Sequence, residues 1–290
     1  MKRERPIIKN KKAETYYRTA INQELQKLLD KVISEIKKIY TKVDIKNSSY
    51  TSFKNPKNPT PTTFDRFIKF VKKNWYLIFY LNTDKIIDKF IDVSFKNADN
   101  SSKENLEDIG ISVKTNRNKF REAIRLIASR NANLIKNTTE QAINDIQNIV
   151  SNGMLQEQSF NDIFKQLKHV KNISESRIKR IAYDQTGKLN EAINRINQEQ
   201  AGIEFFEWWG VDDARERPQH KILNGKIFKW NDKQERLPII DTKGTRGYPG
   251  EAVYCRCQAL AYYVDLDKYK PVWLGNNKGY KFINKNNSRK

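Results

Sequence analysis

Apolar residues recur every three to four positions through most of the first two-thirds of the chain, the period of helices with one buried face. Between 13 and 45, Ile21, Leu25, Leu28, Leu29, Val32, Ile36 and Ile39 share such a face and predict a helix. Pro56, Pro59 and Pro61 stand among Ser, Thr, Asn and Lys in Asn47–Thr63, which predicts a linker. Phe64 to Phe95 is dense in aromatics broken by lysine pairs and predicts a mainly helical segment, whereas the polar run Asn97–Asn105 predicts a loop. A long helix is expected over about 115–152, with Phe120, Ile124, Ile127, Leu134, Ile135, Ala142, Ile146 and Ile149 as its core stripe and Gly153 as a left-handed terminator. Ser159-Phe-Asn-Asp162 has the form of a capping box opening a short helix through Phe164 and Leu167, and Ser174 opens another that ends near Gly202. The short connections favour antiparallel packing in a helical bundle.

Beyond Gly202 the helical period disappears. Glu204-Phe-Phe-Glu-Trp-Trp209 is rich in strand-favouring aromatics, Asn224-Gly225 predicts a hairpin turn, and Val253–Val264 returns to strand composition. Gly244, Gly247, Pro249 and Gly250 mark an irregular loop between them. The expected class is therefore α+β: antiparallel helices, then a small α+β module with a β-hairpin. The expected divisions are 1–110 (helical, with a Pro-rich linker near 55–62), 111–202 (helical bundle), 203–267 (the small module) and 268–290 (a basic tail). Asn276–Lys290 carries five positive charges and no acid, and is expected to be mobile.

Composition adds two constraints. Fifty-five Lys+Arg against 34 Asp+Glu leave a formal charge of +21 over 290 residues, an excess that suits a polyanionic neighbour such as nucleic acid or an acidic protein surface. The charge is spread rather than clustered, so solvated helix faces explain it equally well. The two cysteines, Cys255 and Cys257, cannot build a disulfide framework, and a bridge between residues so close would be strained. The longest apolar run, Trp75–Leu81, is far too short to cross a bilayer, and the basic start lacks the apolar core of a signal peptide; no membrane partner is expected.

Candidate chemistry concentrates in Asp212-Asp-Ala-Arg-Glu-Arg-Pro-Gln-His220 and in Tyr248-Pro-Gly-Glu-Ala-Val-Tyr-Cys-Arg-Cys257. Three explanations compete. His220, Cys255 and Cys257, with Asp213 as a possible fourth, are ligand types that zinc takes, although the C-x-C spacing lacks the usual two-residue gap of a zinc knuckle. His220 as base, Glu251 as acid and Arg215 or Arg217 against a phosphate would make a nuclease. In the third and preferred explanation the cluster is structural. Asp213 locks a tight loop with Arg215 and Arg217, His220 donates to backbone, Gly225, Pro249 and Gly250 shape turns, and Cys255 and Cys257 face the core with Arg256 outward. No cofactor is expected on that basis.

Taken together these residues resemble the phage Mu F-like minor head protein family, also called the head morphogenesis family. The chain has Asp213-Ala-Arg215-Glu-Arg217-Pro-Gln-His220 after an aromatic strand, then Leu223-Asn-Gly225, then Pro249-Gly-Glu251, and finally Cys255-Arg256-Cys257. The likeness covers about 120–265, including the helical lead-in, with Tyr183-Asp184-Gln185 where members often have Arg-Thr-Glu; Asp184 must then serve for the acid. The resemblance implies a minor, non-enzymatic component of a tailed-phage head. Its partners would be the portal protein, inner capsid or scaffold proteins, and DNA contacted non-specifically. Its place would be the capsid interior near the portal, after assembly in the host cytoplasm. The alternative function is an injected effector with nuclease activity centred on His220 and Glu251.

Overall fold

The computed structural model describes residues 6–7, 10–44, 61–113, 117–156, 158 and 160–286. The chain is α+β; among the described residues, five long helices are followed by a small antiparallel β module. The helices are α1 (Lys11–Asp44), α2 (Pro61–Trp75), α3 (Leu81–Asp108), α4 (Arg117–Leu155) and α5 (Phe160–Gln200). A π-helical turn, Tyr76–Tyr80, joins α2 to α3. The module contains β1 (Phe205–Trp209), the short helix α6 (Pro218–Leu223), β2 (Ile227–Lys229), β3 (Gln258–Tyr262), β4 (Tyr269–Trp273) and β5 (Tyr280–Asn284). The chain clusters into two compact units interleaved in sequence rather than into consecutive blocks. One comprises Glu14–Phe90 with Ala128–Ala182; the other comprises Met1–Ala13, Ile91–Ile127 and Tyr183–Lys290.

The first of these units is a helical bundle. Ile21, Leu25, Leu28, Leu29, Val32 and Ile36 are all buried, as the spacing predicts; the side chain of Ile39 lies outside the described residues. Tyr17 of α1 stacks on Phe90 of α3 at 4.3 Å, and the Trp75 indole N–H donates to Thr139 of α4 at 3.1 Å. Along α4 the buried stripe is Ala132, Ile135, Thr139, Ala142, Ile143, Ile146 and Val150, and Leu134 is exposed. Gly153 does not terminate that helix in a left-handed conformation. It lies inside α4, where a Cβ would come within 2.6 Å of Ile163, so its missing side chain allows close packing. The expected break at Ser174 is also absent. Ser174 is buried in the middle of a continuous α5, and the apolar period simply runs on through it. The linker begins outside the described residues (45–60), but Pro61, Thr62 and Thr63 already belong to α2; proline is tolerated there because a first-turn N–H has no helical partner. Ser159 and the side chain of Phe120 likewise lie outside the described residues.

The other unit holds the β module. Asn97–Asn105 is not a loop: α3 continues to Asp108 because the face made by Ala98, Asp99, Ser102 and Leu106 is buried at helical spacing. Its polar members pair with equally polar residues of α5, Ser102 with Asn194 at 3.2 Å and Asp99 with Asn197 at 3.2 Å. Asn10 accepts from the N–H groups of Lys12 and Ala13 and so caps α1, while Ile7 exchanges two hydrogen bonds with the Gln258 amide.

The sheet order is β2-β1-β3, antiparallel throughout, with Trp208 opposite Ala259. The β1 sequence alternates poorly because Phe205, on the face opposite Phe206 and Trp208, is buried as well. Phe206 and Trp208 enter a core with Leu223, Phe228, Trp230, Ile240, Cys255, Cys257 and Ala259, whereas Phe205 meets Tyr280 and Phe282 of the β4–β5 hairpin. That hairpin corrects the expectation of a mobile tail from residue 276. Tyr280 and Phe282 have aromatic partners, and β4 and β5 pair over five residues; only 287–290 lie outside the described residues. Asn224-Gly225 does not make a tight hairpin either. Pro218 opens α6 at its first turn, and Gly225, at φ 74°, is the left-handed residue just past its end.

In the β4–β5 turn, Gly279 sits at φ 73° with its backbone against the Ile227 carbonyl of β2, where a Cβ would collide with main chain. Gly279→Ala is therefore expected to cost about 2–4 kcal/mol through strain and lost docking. Urea unfolding measures this directly, and an unchanged midpoint would show that the hairpin does not dock on β2.

Candidate functional site

The site grows from the loop after β1. Gly210 donates its N–H to the Asn224 side chain at 2.9 Å, and Glu216 packs so closely over Gly210 that any Cβ there would collide with its carboxylate. One Glu216 oxygen accepts the Asp212 N–H at 2.7 Å, which helps hold Asp212 at φ 51°. Asp213 then accepts two hydrogen bonds from Arg256, each 2.5 Å, in a fork-to-fork pair. It also accepts the Arg215 N–H at 2.9 Å, with the Arg215 guanidinium 3.6 Å away.

This corrects the expected network at two places. Arg256 does not merely point outward; it is the bidentate partner of Asp213. Arg217 does not pair with Asp213 but donates to the Val253 carbonyl at 2.5 Å, tying the start of α6 to the loop before the cysteines.

The Pro249-Gly-Glu loop is equally structural. Gly250, at φ 83°, lies so close to α5 that a Cβ would come within 2.7 Å of Glu191. Glu251 is exposed, accepts the Tyr248 N–H at 2.9 Å, and leaves Gly247 no room for a side chain. Asp184, in the departure from the family pattern, accepts the Tyr254 N–H at 2.5 Å and pairs with Lys188 at 2.9 Å. The shorter acid therefore does reach the motif loop.

His220, Cys255 and Cys257 converge in the core, all buried, with their ligand atoms within 4.8 Å of one another. Nε2 of His220 lies 2.9 Å from the Ile240 carbonyl, which can only accept, so Nε2 carries the proton. Nδ1 faces Cys257 Sγ at 3.3 Å and Cys255 Sγ at 3.5 Å. Both thiols face inward because residues two apart in extended chain share a side, and Arg256 between them exits to Asp213. Burial pulls the imidazole pKa down, but the Cys255 sulfur and the Ile240 carbonyl outweigh it and leave the value raised. Cys255 is lowered, chiefly by the hydrogen bond from Cys257, and Cys257 is raised correspondingly by Cys255 and by burial.

As a nuclease constellation the geometry fails. Both ring nitrogens of His220 are engaged inside the protein, and Glu251 is an exposed residue spent on closing its own loop.

Sequence reasoning missed a polar row on α5. Ala259 donates its N–H to Glu191 at 3.1 Å, and its carbonyl accepts from Asn194 at 2.8 Å and Gln198 at 2.9 Å. Gln198 also accepts from the Trp230 indole at 3.1 Å. The signal was present as Asn190, Glu191, Asn194, Asn197 and Gln198 at helical spacing, a polar row in the C-terminal half of α5, where no residue is exposed.

Residues 144–260 match the family described as Phage Mu protein F like protein, a stretch that runs from the second half of α4 to β3 and holds the whole Asp213-to-Cys257 cluster. Over that stretch, less than half of its length, the chain is similar to the phage Mu F-like head morphogenesis family. An uncharacterized protein of Haemophilus influenzae is 31% identical over 136 residues, 47% of this chain but only 28% of the relative. The match thus spans about a quarter of that longer protein. No solved structure matches the chain.

Two outcomes follow from the site. Arg256 holds the Asp213 carboxyl well below the usual range, so this pair contributes above the unfolded value of 3.8 and is lost as pH falls below it toward the folded value. In urea titrations the wild type should exceed Asp213→Asn in stability at pH 7, and the gap should narrow below about pH 4; a gap independent of pH would remove the ion pair from the account. Glu191→Ala strands the buried Ala259 N–H and should cost about 1–3 kcal/mol, read from the same unfolding curves.

Proposed function

We propose that this chain is a minor structural protein of a tailed-phage head, seated inside the capsid at or near the portal and touching packaged DNA without reading its sequence. The observation that carries this reading is the family match over 144–260, which brings head morphogenesis with it. The electrostatics support it. A formal charge of +21 on a 290-residue chain is suited to a compartment filled with phosphate, and exposed lysines such as Lys72 and Lys73 at the end of α2 lie on helix faces rather than in a pocket. A spread charge of this kind favours contact with the phosphate backbone over base readout. Among the described residues no helix is long and apolar enough to cross a membrane. In this reading the Asp213–Arg256 pair, the Pro249-Gly-Glu loop and the His220/Cys255/Cys257 cluster hold a small module in shape, and the protein performs no chemical step.

Filter binding to mixed-sequence duplex DNA tests the DNA contact. Affinity should fall by about tenfold or more between 50 and 200 mM salt, with a linear log–log slope and little change when the sequence is altered. A flat salt response would assign the lysines to solvation alone. Co-expression with the portal protein, followed by size-exclusion chromatography, should place the two in one peak; separate elution would remove portal docking.

A further inference from the structure

We propose that His220, Cys255 and Cys257 form a zinc site that staples α6 and the loop around Ile240 to the Cys-Arg-Cys segment. Four observations converge on it. First, the donor set is right in kind and arrangement: two thiol sulfurs and one imidazole nitrogen, all buried and mutually within 4.8 Å. Second, the distances suit a tetrahedral ion. Zn–S of about 2.3 Å and Zn–N of about 2.0 Å require N···S edges of about 3.5 Å, and the two observed separations are 3.3 and 3.5 Å.

Third, the imidazole is oriented as a ligand. The Ile240 carbonyl takes the Nε2 proton, so the single in-plane lobe at Nδ1 is left for whatever lies between the two sulfurs. That lobe can serve one hydrogen bond well, yet two sulfurs share it almost equally, an arrangement that one ion at the centre of the three atoms satisfies better than either thiol alone.

Fourth, the surroundings are those of a metal-bound thiolate. The Trp208 indole N–H is buried without a hydrogen-bond partner, and its ring meets His220 edge-on at 5.5 Å. The same core holds both cysteines, so a donor with no partner is enclosed with the two sulfurs. Glu216 Oε1 accepts from the Cys257 thiol at 3.6 Å but does not join the three mutually close donors, so the fourth position falls to a water. Two thiolates in a buried site would be costly without a dication to neutralise them.

The objection from spacing, that one intervening residue prevents both sulfurs from meeting one ion, does not hold. Tyr254 at φ 56° turns the chain just before the first cysteine, and the extended backbone after it directs both side chains inward. A metal here also answers a stability problem, since small modules with limited cores gain most from such a clip.

The test uses the whole chain. Protein grown with added zinc and purified without chelator should hold about one zinc per chain by elemental analysis. Stripped protein titrated with cobalt(II) chloride should develop sulfur-to-cobalt charge-transfer absorption and the intense visible bands of tetrahedral cobalt. His220→Gln and the double change Cys255→Ser with Cys257→Ser should weaken zinc binding by more than about tenfold, while Lys221→Ala, on the exposed face of α6, should leave it unchanged. Less than about a tenth of an equivalent of zinc in the wild type, together with no charge-transfer band on adding cobalt, would overturn the proposal. Because that reading is taken on the wild type, it stands even where the variants fail to fold.

Discussion

The β module depends on how one residue of its edge strand finds hydrogen-bond partners. Trp208 of β1 directs its N–H to the Lys226 carbonyl and its own carbonyl to the Gly225 N–H, both on the β2 side. Ala259, directly opposite on β3, therefore points its main-chain groups away from β1, to an edge where no further strand arrives. Glu191, Asn194 and Gln198 of α5 meet them with one acceptor and two donors. A helix thus replaces the missing strand through its side chains, and the edge that would otherwise invite pairing with another chain is covered.

That substitution fixes much else. It places polar side chains on a buried helix face, and Asp99 and Ser102 of α3 and the Trp230 indole join the same network. It brings the Pro249-Gly-Glu loop against Glu191, where only glycine at 250 fits. It also sets the height at which Cys255 and Cys257 leave the edge of β3, and therefore where their sulfurs meet His220. Buried polar networks of this kind are costly when incomplete and specific when complete.

The parts of this architecture legible in the sequence are those that rest on apolar periodicity and on residue type. The stripe from Ile21 to Ile36, the helical nature of Phe64–Phe95 and the aromatic strand at 205–209 follow from side chains whose burial is independent of partners. Errors gathered where a polar segment is buried by equally polar neighbours. Asn97–Asn105 has the composition of a loop, yet it is helical because Asp99 and Ser102 find Asn197 and Asn194 nearly a hundred positions later. The basic C-terminal stretch failed for a related reason, since Tyr280 and Phe282 become strand residues only once Phe205 is there to receive them. At the site, residue identities were legible but pairings were not. Asp213 was read with its sequence neighbours, whereas its bidentate partner, Arg256, is 43 positions away.

The same geometry separates two roles that the motif holds together in sequence. Asp213, Arg215 and Arg256 lie at the partly exposed rim, where salt and pH reach them and where a bidentate pair contributes orientation more than energy. His220, Cys255 and Cys257 lie in the core against Trp208. The inner cluster joins α6, the Ile240 loop and the segment leading into β3. A thiol–imidazole contact that is buried, shares one nitrogen lobe between two sulfurs and has its tautomer set by a carbonyl suits a fixed occupant. An inner cluster buried in the core beneath a partly exposed ionic rim is the division of labour these residues support.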